Sequence, residues 1–204
     1  MNLSTAAIVA ALGRARAPIL WIGATYLLSV AVGAGMVHAN NQFALRFRDH
    51  LVGQAQNSTA LKALDQGQHL RAAVADFGGN LVLGAVPSTV MGLGVVMPFP
   101  LVAFRGWVGG IVSVDGEHKS RLRDRRERLY YLGVILLQLI PYTLAGGTGV
   151  RLGLAFVLPR GRWGYQGNER WLGMPAEGVR DVLRIYILVV PLFLIASLVE
   201  FLAR

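Results

Sequence analysis

The residues of this 204-residue chain that could do chemistry are few, and their spacing excludes several kinds of site. A metal site needs converging ligands, and no histidine lies three or four positions from another histidine or from a carboxylate on an apolar, spanning segment. The four histidines are His38, His50, His69 and His118. The chain has no cysteine, which excludes a thiol nucleophile and a zinc site with cysteine ligands. We therefore expect no bound metal.

Sequence motifs of catalysis and nucleotide binding are missing as well. No G-x-S-x-G or comparable nucleophile motif occurs. The run at 146–149 is rich in glycine, but no Gly-Lys-Ser/Thr follows it, which excludes a phosphate-binding loop of the P-loop kind. We predict that the protein is not an enzyme and binds no cofactor.

Polar side chains within apolar runs are the remaining candidates for function. A charged group inside a membrane is costly and is a candidate functional residue by default, and Arg105, Arg151 and Glu200 lie inside or next to apolar runs. Extension of these side chains to the membrane surface is the alternative interpretation. Asn80 and Gln138 are uncharged polar residues in such runs, and residues of this kind more often join helices than bind solutes.

Several glycines have the spacing of helix-packing positions. Gly106 and Gly110 form one small-xxx-small pair, Gly149 and Gly153 form another, and Gly146 lies in the same glycine-rich run. Glycine lets helix backbones approach each other closely in lipid. We expect these contacts mainly within the chain, and packing between copies, which would make a homo-oligomer, stays an open alternative.

The elements that must position these residues belong to an unusually apolar chain. Hydrophobic residues make up 54% and charged residues 15% of it, with a mean hydropathy of +0.49, against about 45–50% and about 25% in soluble domains. The net charge of +9 could indicate nucleic-acid binding. Apolar runs separate the basic residues, however, as expected for arginines at helix ends beside lipid headgroups. We therefore expect the lipid bilayer, and no nucleic acid, as a partner.

Five apolar runs predict five spanning helices, since a span needs about 20 apolar residues. They lie at 18–37, 77–96, 98–114, 129–150 and 185–201. The first is longer than the usual signal-peptide core of about 7–15 residues, so an uncleaved helix is the favoured interpretation. The third is short and could be re-entrant. We predict a helix break before it, at Pro98 and Pro100.

The longest polar stretch, 40–76, follows the first predicted span and is predicted as a polar loop. Within it Phe43, Phe47 and Leu51 recur every fourth residue, which places them on one helical face. This pattern predicts an amphipathic helix in the membrane interface, with packing on a partner or on the protein's own spans as the open alternative. Arginine and lysine collect on both sides of the predicted spans, so the sequence does not decide the orientation.

Three stretches of the chain carry a family resemblance. The stretch 77–110 begins with Phe-Gly-Gly-Asn-Leu and continues through Met-Pro to a closely spaced glycine pair. The stretch 140–153 ends in Ala-Gly-x-x-Gly-Val-Arg-Leu-Gly, and the stretch 191–201 is apolar with Glu200 near its end. Together they resemble the stage II sporulation protein M family of integral membrane proteins. In that family one span ends in Ala-Gly-x-x-Gly-Leu-Arg-Leu-Gly, with Arg151 at the arginine position, and Glu200 stands at the glutamate position of the last apolar helix.

The resemblance implies about five membrane helices and no known catalytic activity. The family's sporulation member acts as a membrane scaffold for peptidoglycan-cleaving proteins, and other members look like parts of further membrane complexes, including transport systems. The chain departs from the family where many members have Pro, His and Glu in the fourth span, because Gly133, Val134 and Gln138 stand there. Any role of that glutamate is therefore in doubt for this chain.

These observations together predict an all-α, polytopic protein of the cell (inner) membrane, with residues 1–204 forming a single integral membrane domain. The predicted function is that of a non-enzymatic subunit that anchors or organises a complex of other membrane or envelope proteins, with remodelling of the cell envelope as the expected process. The alternative is a permease-like subunit of a transporter with an ATPase or second permease as partner. In that alternative Arg105 and Gln138 line a path beside the predicted helix break.

Overall fold

The computed structural model describes residues 2–159 and 161–202 and is mostly helical, which confirms the predicted all-α fold at this level. The helices are α1 (Thr5–His38), α2 (Gln42–Ala55), α3 (Thr59–Asp65), α4 (His69–Gly78), α5 (Val86–Gly92), α6 (Pro98–Ile111), α7 (Arg125–Val157) and α8 (Ala176–Leu202). Two-residue strands β1 (Arg170–Trp171) and β2 (Met174–Pro175) pair between α7 and α8. The helices α1, α7 and α8 are each long and apolar enough to cross a membrane.

Helix α6 lies parallel to α1 in direct backbone contact, and glycine makes this contact possible. A Cβ atom added at Gly106 would overlap the carbonyl of Tyr26, and one added at Gly110 would overlap the carbonyl of Val30. From the other side, Gly33 of α1 faces the backbone of α6. The predicted packing glycines of α6 therefore contact a helix of the same chain.

Helix α7 is the central helix, antiparallel to α1 and parallel to α5. Its glycine-rich segment lies between these two neighbours: a Cβ at Gly149 would overlap the backbone of Thr89, and one at Gly153 the backbone of Gly92. Gly146 faces the side chain of Ile22, with 3.4 Å between the added Cβ and the nearest carbon. All of the predicted packing glycines thus face neighbours within the chain.

Helices α4 and α5 are joined without a break by the π-helical segment Gly79–Ala85. The resulting rod runs from His69 to Gly92 and is about 36 Å long at about 1.5 Å per residue. It begins eight residues before the predicted span 77–96. The chain then turns over 93–97, where Val95 has a positive φ of 59°, and α6 begins at Pro98 with Pro100 in its first turn.

Helical segments also fill the stretch predicted as a polar loop, 40–76. Helix α2 packs its Phe47 ring on Trp107 of α6, with 5.1 Å between ring centroids. Asp49 of α2 accepts hydrogen bonds from the buried Arg48 at 2.8 Å and contacts His118 of the 113–124 hairpin at 2.9 Å. Helix α2 is thereby held against the end of α6 and the hairpin that follows it.

The ends of the helices collect at two opposite faces of the bundle. Face A carries the start of α1, the end of α7 and the start of α8, which are joined there by the ion pair of Arg14 with Asp181. Face B carries the end of α1, the start of α7 and the end of α8, where Tyr130 donates to the carbonyl of Glu200 at 3.2 Å. Helices α1, α6 and α8 run from A towards B, and α4–α5 and α7 run from B towards A.

Candidate functional site

A chain of hydrogen bonds crosses the interior of the bundle and begins at Asp76 of α4. One oxygen of this carboxylate, Oδ2, accepts from Ser197 Oγ of α8 at 2.7 Å and from Asn80 Nδ2 of the π-helical segment at 2.9 Å. Both donors are neutral. Among the described residues no arginine, lysine or histidine nitrogen lies within 4 Å of the Asp76 carboxylate.

The chain continues from Asn80 to Arg105 through the hydroxyl of Tyr142. Tyr142 donates to Asn80 Oδ1 at 2.6 Å, and Arg105 Nη1 donates to the same hydroxyl at 2.6 Å. The guanidinium of Arg105 also stacks on the Tyr142 ring, 4.5 Å from its centroid, and the Phe193 ring lies edge-on at 4.8 Å. The hydroxyl of Tyr142 therefore connects the polar groups of α4 and α8 with the arginine of α6.

Arg105 also contacts the backbone of the π-helical segment. Its Nη2 donates to the carbonyl oxygen of Leu83, within Gly79–Ala85, at 3.4 Å. The arginine of α6 therefore contacts both α7, through Tyr142, and the rod formed by α4 and α5.

Gln138 and Glu200 meet at the face B side of the same region. Gln138 Nε2 donates to Glu200 Oε2 at 3.2 Å. Among the described residues, neither Arg105 nor Arg151 forms an ion pair with Glu200. The sequence-predicted residues Asn80, Arg105, Gln138 and Glu200 nevertheless lie in one connected region.

A cavity of about 470 Å³ opens beside this network, between α6 and α7. It exists because glycines hold α6 on α1 and hold α7 on α1 and α5, which leaves α6 and α7 separated. The wall from α6 is mostly apolar, and the wall from α7 and α8 carries hydroxyl, amide and carboxylate groups. The charged and amide residues of the lining are Arg105, Arg121, Gln138 and Glu200.

Arg151, the fifth predicted polar residue, lies apart from the cavity, near face A. Only 2% of the residue is exposed. Its Nη1 donates to the carbonyl of Trp163 at 2.6 Å and its Nε to the carbonyl of Arg14 at 3.2 Å, and it stacks on Tyr165 at 4.3 Å. The Arg14 carbonyl is the one left without an N–H partner by Pro18, four residues later. Arg151 is thus buried rather than extended to the surface.

A buried carboxylate joins the same end of the bundle and was not singled out from the sequence. Asp181, 2% exposed, accepts two hydrogen bonds from Arg14 at 2.7 Å each and one from Arg184 at 3.0 Å. Tyr165 donates to it at 3.0 Å. Burial raises the pKa of Tyr165, and the Asp181 carboxylate raises that pKa further. These contacts fix the start of α1 to the start of α8.

Sequence reasoning also missed Asp76, Tyr142, Ser197 and Arg121. The signal for the first three was weak because each is a single polar residue whose partner is distant in sequence: Asp76 and Ser197 are 121 positions apart, and Tyr142 and Asn80 are 62 apart. Arg121 lies within the charged run 115–128. Among the described residues, no group of three or more histidines and carboxylates could hold a metal ion.

A scan against protein-family models and searches of curated proteins and of solved structures find no match to this chain. The resemblance to the stage II sporulation protein M family therefore stays a prediction from the sequence motifs.

Proposed function

We propose that this chain is a multi-pass protein of the cell (inner) membrane with five crossings, and that it serves as a non-enzymatic subunit that organises a membrane complex. The observation that carries the proposal is the rod from His69 to Gly92, which lies beside α7 and connects the two faces of the bundle. At about 36 Å it is longer than the hydrocarbon core of about 30 Å. It adds one crossing to α1, α7 and α8.

The fifth crossing in this proposal is α6 with the turn that precedes it. Helix α6 has 14 residues and is about 21 Å long, shorter than the hydrocarbon core. The turn at 93–97 continues the crossing towards face A, where Val95 packs in one cluster with Ile22 and Val150. Irregular backbone at this depth is tolerated where protein covers it.

The assignment of an organising role follows from how the surfaces are used. The packing glycines are occupied by contacts within the chain, and the sides of the long helices present apolar residues suited to lipid. The polar surfaces left for other proteins are the two faces. Face B offers the hairpin and the start of α7, where the run 115–128 is densely charged. Membrane or envelope proteins with acidic segments fit this surface.

The crossings can be tested by cysteine labelling, since the natural chain has no cysteine. Asn57→Cys marks face B, Asn168→Cys marks face A, and Val96→Cys, at a residue 69% exposed, marks the turn before α6. A membrane-impermeant maleimide should label positions 96 and 168 from one side and position 57 from the other. Labelling of positions 96 and 57 from the same side would leave only three crossings and would refute the proposal.

The organising role is tested by cross-linked co-purification from native membranes. Recovery of specific envelope proteins, cell-wall hydrolases among them, supports it. A matched variant with Arg125, Arg126 and Arg128 changed to glutamine should lose these proteins, whereas Arg170→Gln on face A should keep them. Equal recovery of the partner proteins by the unchanged chain, the triple variant and Arg170→Gln contradicts the assignment of the partner surface to face B.

A second candidate function is a permease-like subunit of a transporter, and the cavity is the observation that favours it. Arg105 and Gln138 both line the cavity, and the chain breaks between α5 and α6 at its side, as in transporters with discontinuous helices. Recovery of an ATPase or a second permease in the same co-purification would favour this candidate. Arg105→Ala should then abolish transport and leave assembly intact.

A further inference from the structure

We propose that the cavity between α6 and α7 is a binding site for an organic anion, in which a carboxylate or phosphate group is attached to an apolar body. Arg121 and Arg105 are the residues that recognise the anionic group. The inference rests on the proposed membrane location and names a ligand class for the cavity of the second candidate function.

The lining of the cavity carries more positive than negative charge. It contains two guanidinium groups, from Arg105 and Arg121, and one carboxylate, from Glu200. Glu200 accepts a hydrogen bond from Gln138. Within the described part of the chain, no carboxylate lies within 4 Å of either guanidinium. Both arginines are half-buried and lack a counter-charge at this distance, so an anion that enters the cavity is attracted to both of them.

Arg121 also has donors that the protein leaves unused. Its Nε is buried, and among the described residues it has no hydrogen-bond partner. This nitrogen has almost no accessible surface, so a ligand in the cavity is reached by the terminal nitrogens of the guanidinium, for which no hydrogen bond is found among the described residues. Guanidinium groups bind carboxylate and phosphate oxygens in fixed, often two-pronged geometry. The unused donors of Arg121 therefore match an oxyanion.

Arg105 extends the site from face B towards the middle of the bundle. Its neighbour Gly106 packs at the level of Tyr26, near the middle of α1, and its own hydrogen bond to Tyr142 is near the middle of α7. Arg121 lies on the hairpin at face B, beside Tyr131, whose hydroxyl donates to the Gly109 carbonyl at 2.8 Å. The two arginines thus mark an inner and an outer position of one cavity.

The apolar wall determines the rest of the ligand. Leu101, Phe104 and Val108 of α6 face the cavity together with Val112, which directly follows this helix, and Val134 and Ile135 continue this surface from α7. With a hydrated inorganic anion in the cavity, these side chains would stay in contact with water. An anion with a hydrocarbon or aromatic body removes their apolar surface from water, which favours binding by about 25 cal/mol for each Å² that is buried. A volume of about 470 Å³ is in the usual range of small-molecule sites.

The experiment measures binding by native mass spectrometry of the full chain, purified in neutral detergent. The probes are palmitoyl-oleoyl phosphatidylglycerol, phosphatidylcholine with the same acyl chains, and hexanoate as a soluble carboxylate. The variants are Arg121→Gln, which removes the charge, and Val108→Phe, which fills the cavity and keeps the charge. Arg123→Gln is the matched control, because Arg123 lies on the same hairpin, is exposed and is not in the lining.

We expect one saturable site for an anionic probe. Arg121→Gln and Val108→Phe should each weaken it at least about 10-fold, since a hydrogen bond to a charged group is worth about 1.5–3 kcal/mol, and Arg123→Gln should leave it within about threefold. Preference for phosphatidylglycerol over phosphatidylcholine, without hexanoate binding, identifies a bilayer lipid as the source. Hexanoate binding without phosphatidylglycerol binding identifies a soluble anion.

The inference is overturned if no anionic probe binds, or if phosphatidylcholine binds as well as phosphatidylglycerol and hexanoate does not bind. It is also overturned if Arg123→Gln weakens binding as much as Arg121→Gln. Melting temperatures of the variants identify any that fail to fold, and Val108→Phe tests the cavity independently of charge. The cysteine labelling separates the two proposals, because five crossings without anion binding refute the site alone, and three crossings refute the proposed topology.

Discussion

The hydroxyl of Tyr142 offers the sharpest test of the interior network, through the substitution Tyr142→Phe. The ring and its contact with Phe193 are kept, and only the oxygen that joins Asn80 to Arg105 is removed. Its hydrogen bond to Arg105 is charge-assisted and worth about 1.5–3 kcal/mol, and the half-buried Asn80 oxygen loses its donor at about 0.5–1 kcal/mol. We therefore expect a loss of about 2–4 kcal/mol in the free energy of unfolding.

The matched control is Tyr186→Phe, because Tyr186 pairs at 2.7 Å with the neutral hydroxyl of Thr89. A neutral hydrogen bond between membrane helices is worth about 0.6 kcal/mol on average and at most about 1.7. Thermal unfolding in one neutral detergent should lower the melting temperature of Tyr142→Phe by at least about 4 °C, and that of Tyr186→Phe by less. Equal shifts, or no shift for Tyr142→Phe, would show that Arg105 does not depend on this hydroxyl.

Three further predictions concern packing, the buried arginine and pH. Gly149→Leu should prevent recovery of a folded monomer in size-exclusion chromatography, and Gly133→Leu, where an added Cβ meets nothing within 4 Å, should not. Arg151→Gln should lower the melting temperature less when combined with Pro18→Ala, because alanine restores the N–H that the arginine replaces; additive losses would contradict this. The neighbouring arginine holds the pKa of Asp49 below its usual value. The protection factors for hydrogen exchange at 113–124, which are corrected for the intrinsic pH dependence of exchange, should accordingly stay constant above about pH 4 and decrease as the pH falls through that lowered pKa. Asp49→Asn should remove this decrease.

The sequence could predict those parts of the fold that depend on continuous runs of similar residues. The apolar runs predicted the cores of α1, α7 and α8, since length and hydropathy alone identify a helix that can cross a membrane. The rod from His69 was predicted to start too late because its first turns contain Arg71 and Asp76, which were counted as loop residues. Asp76 is accommodated by Ser197 of α8, a contact that no local pattern encodes.

The candidate site was predictable as a set of residues but not as an arrangement. Asn80, Arg105, Gln138 and Glu200 were selected because polar groups in apolar runs are costly, and the structure brings them into one region. Their connection depends on Tyr142, which sequence could not distinguish from a tyrosine that only packs. Pairing is a property of helix order and register, which single-sequence patterns do not contain.

The two arginines selected for their cost in apolar surroundings show why burial alone is a poor guide to function. Arg151 supplies a donor to the carbonyl that Pro18 leaves unpaired, and Arg105 donates to the Leu83 carbonyl of the π-helical segment. These backbone contacts give each arginine a structural role in the bundle. The difference between them lies in what else surrounds the guanidinium. Arg151 is enclosed by Trp163 and Tyr165, whereas Arg105 faces a cavity, so only Arg105 has a surface on which a ligand can act.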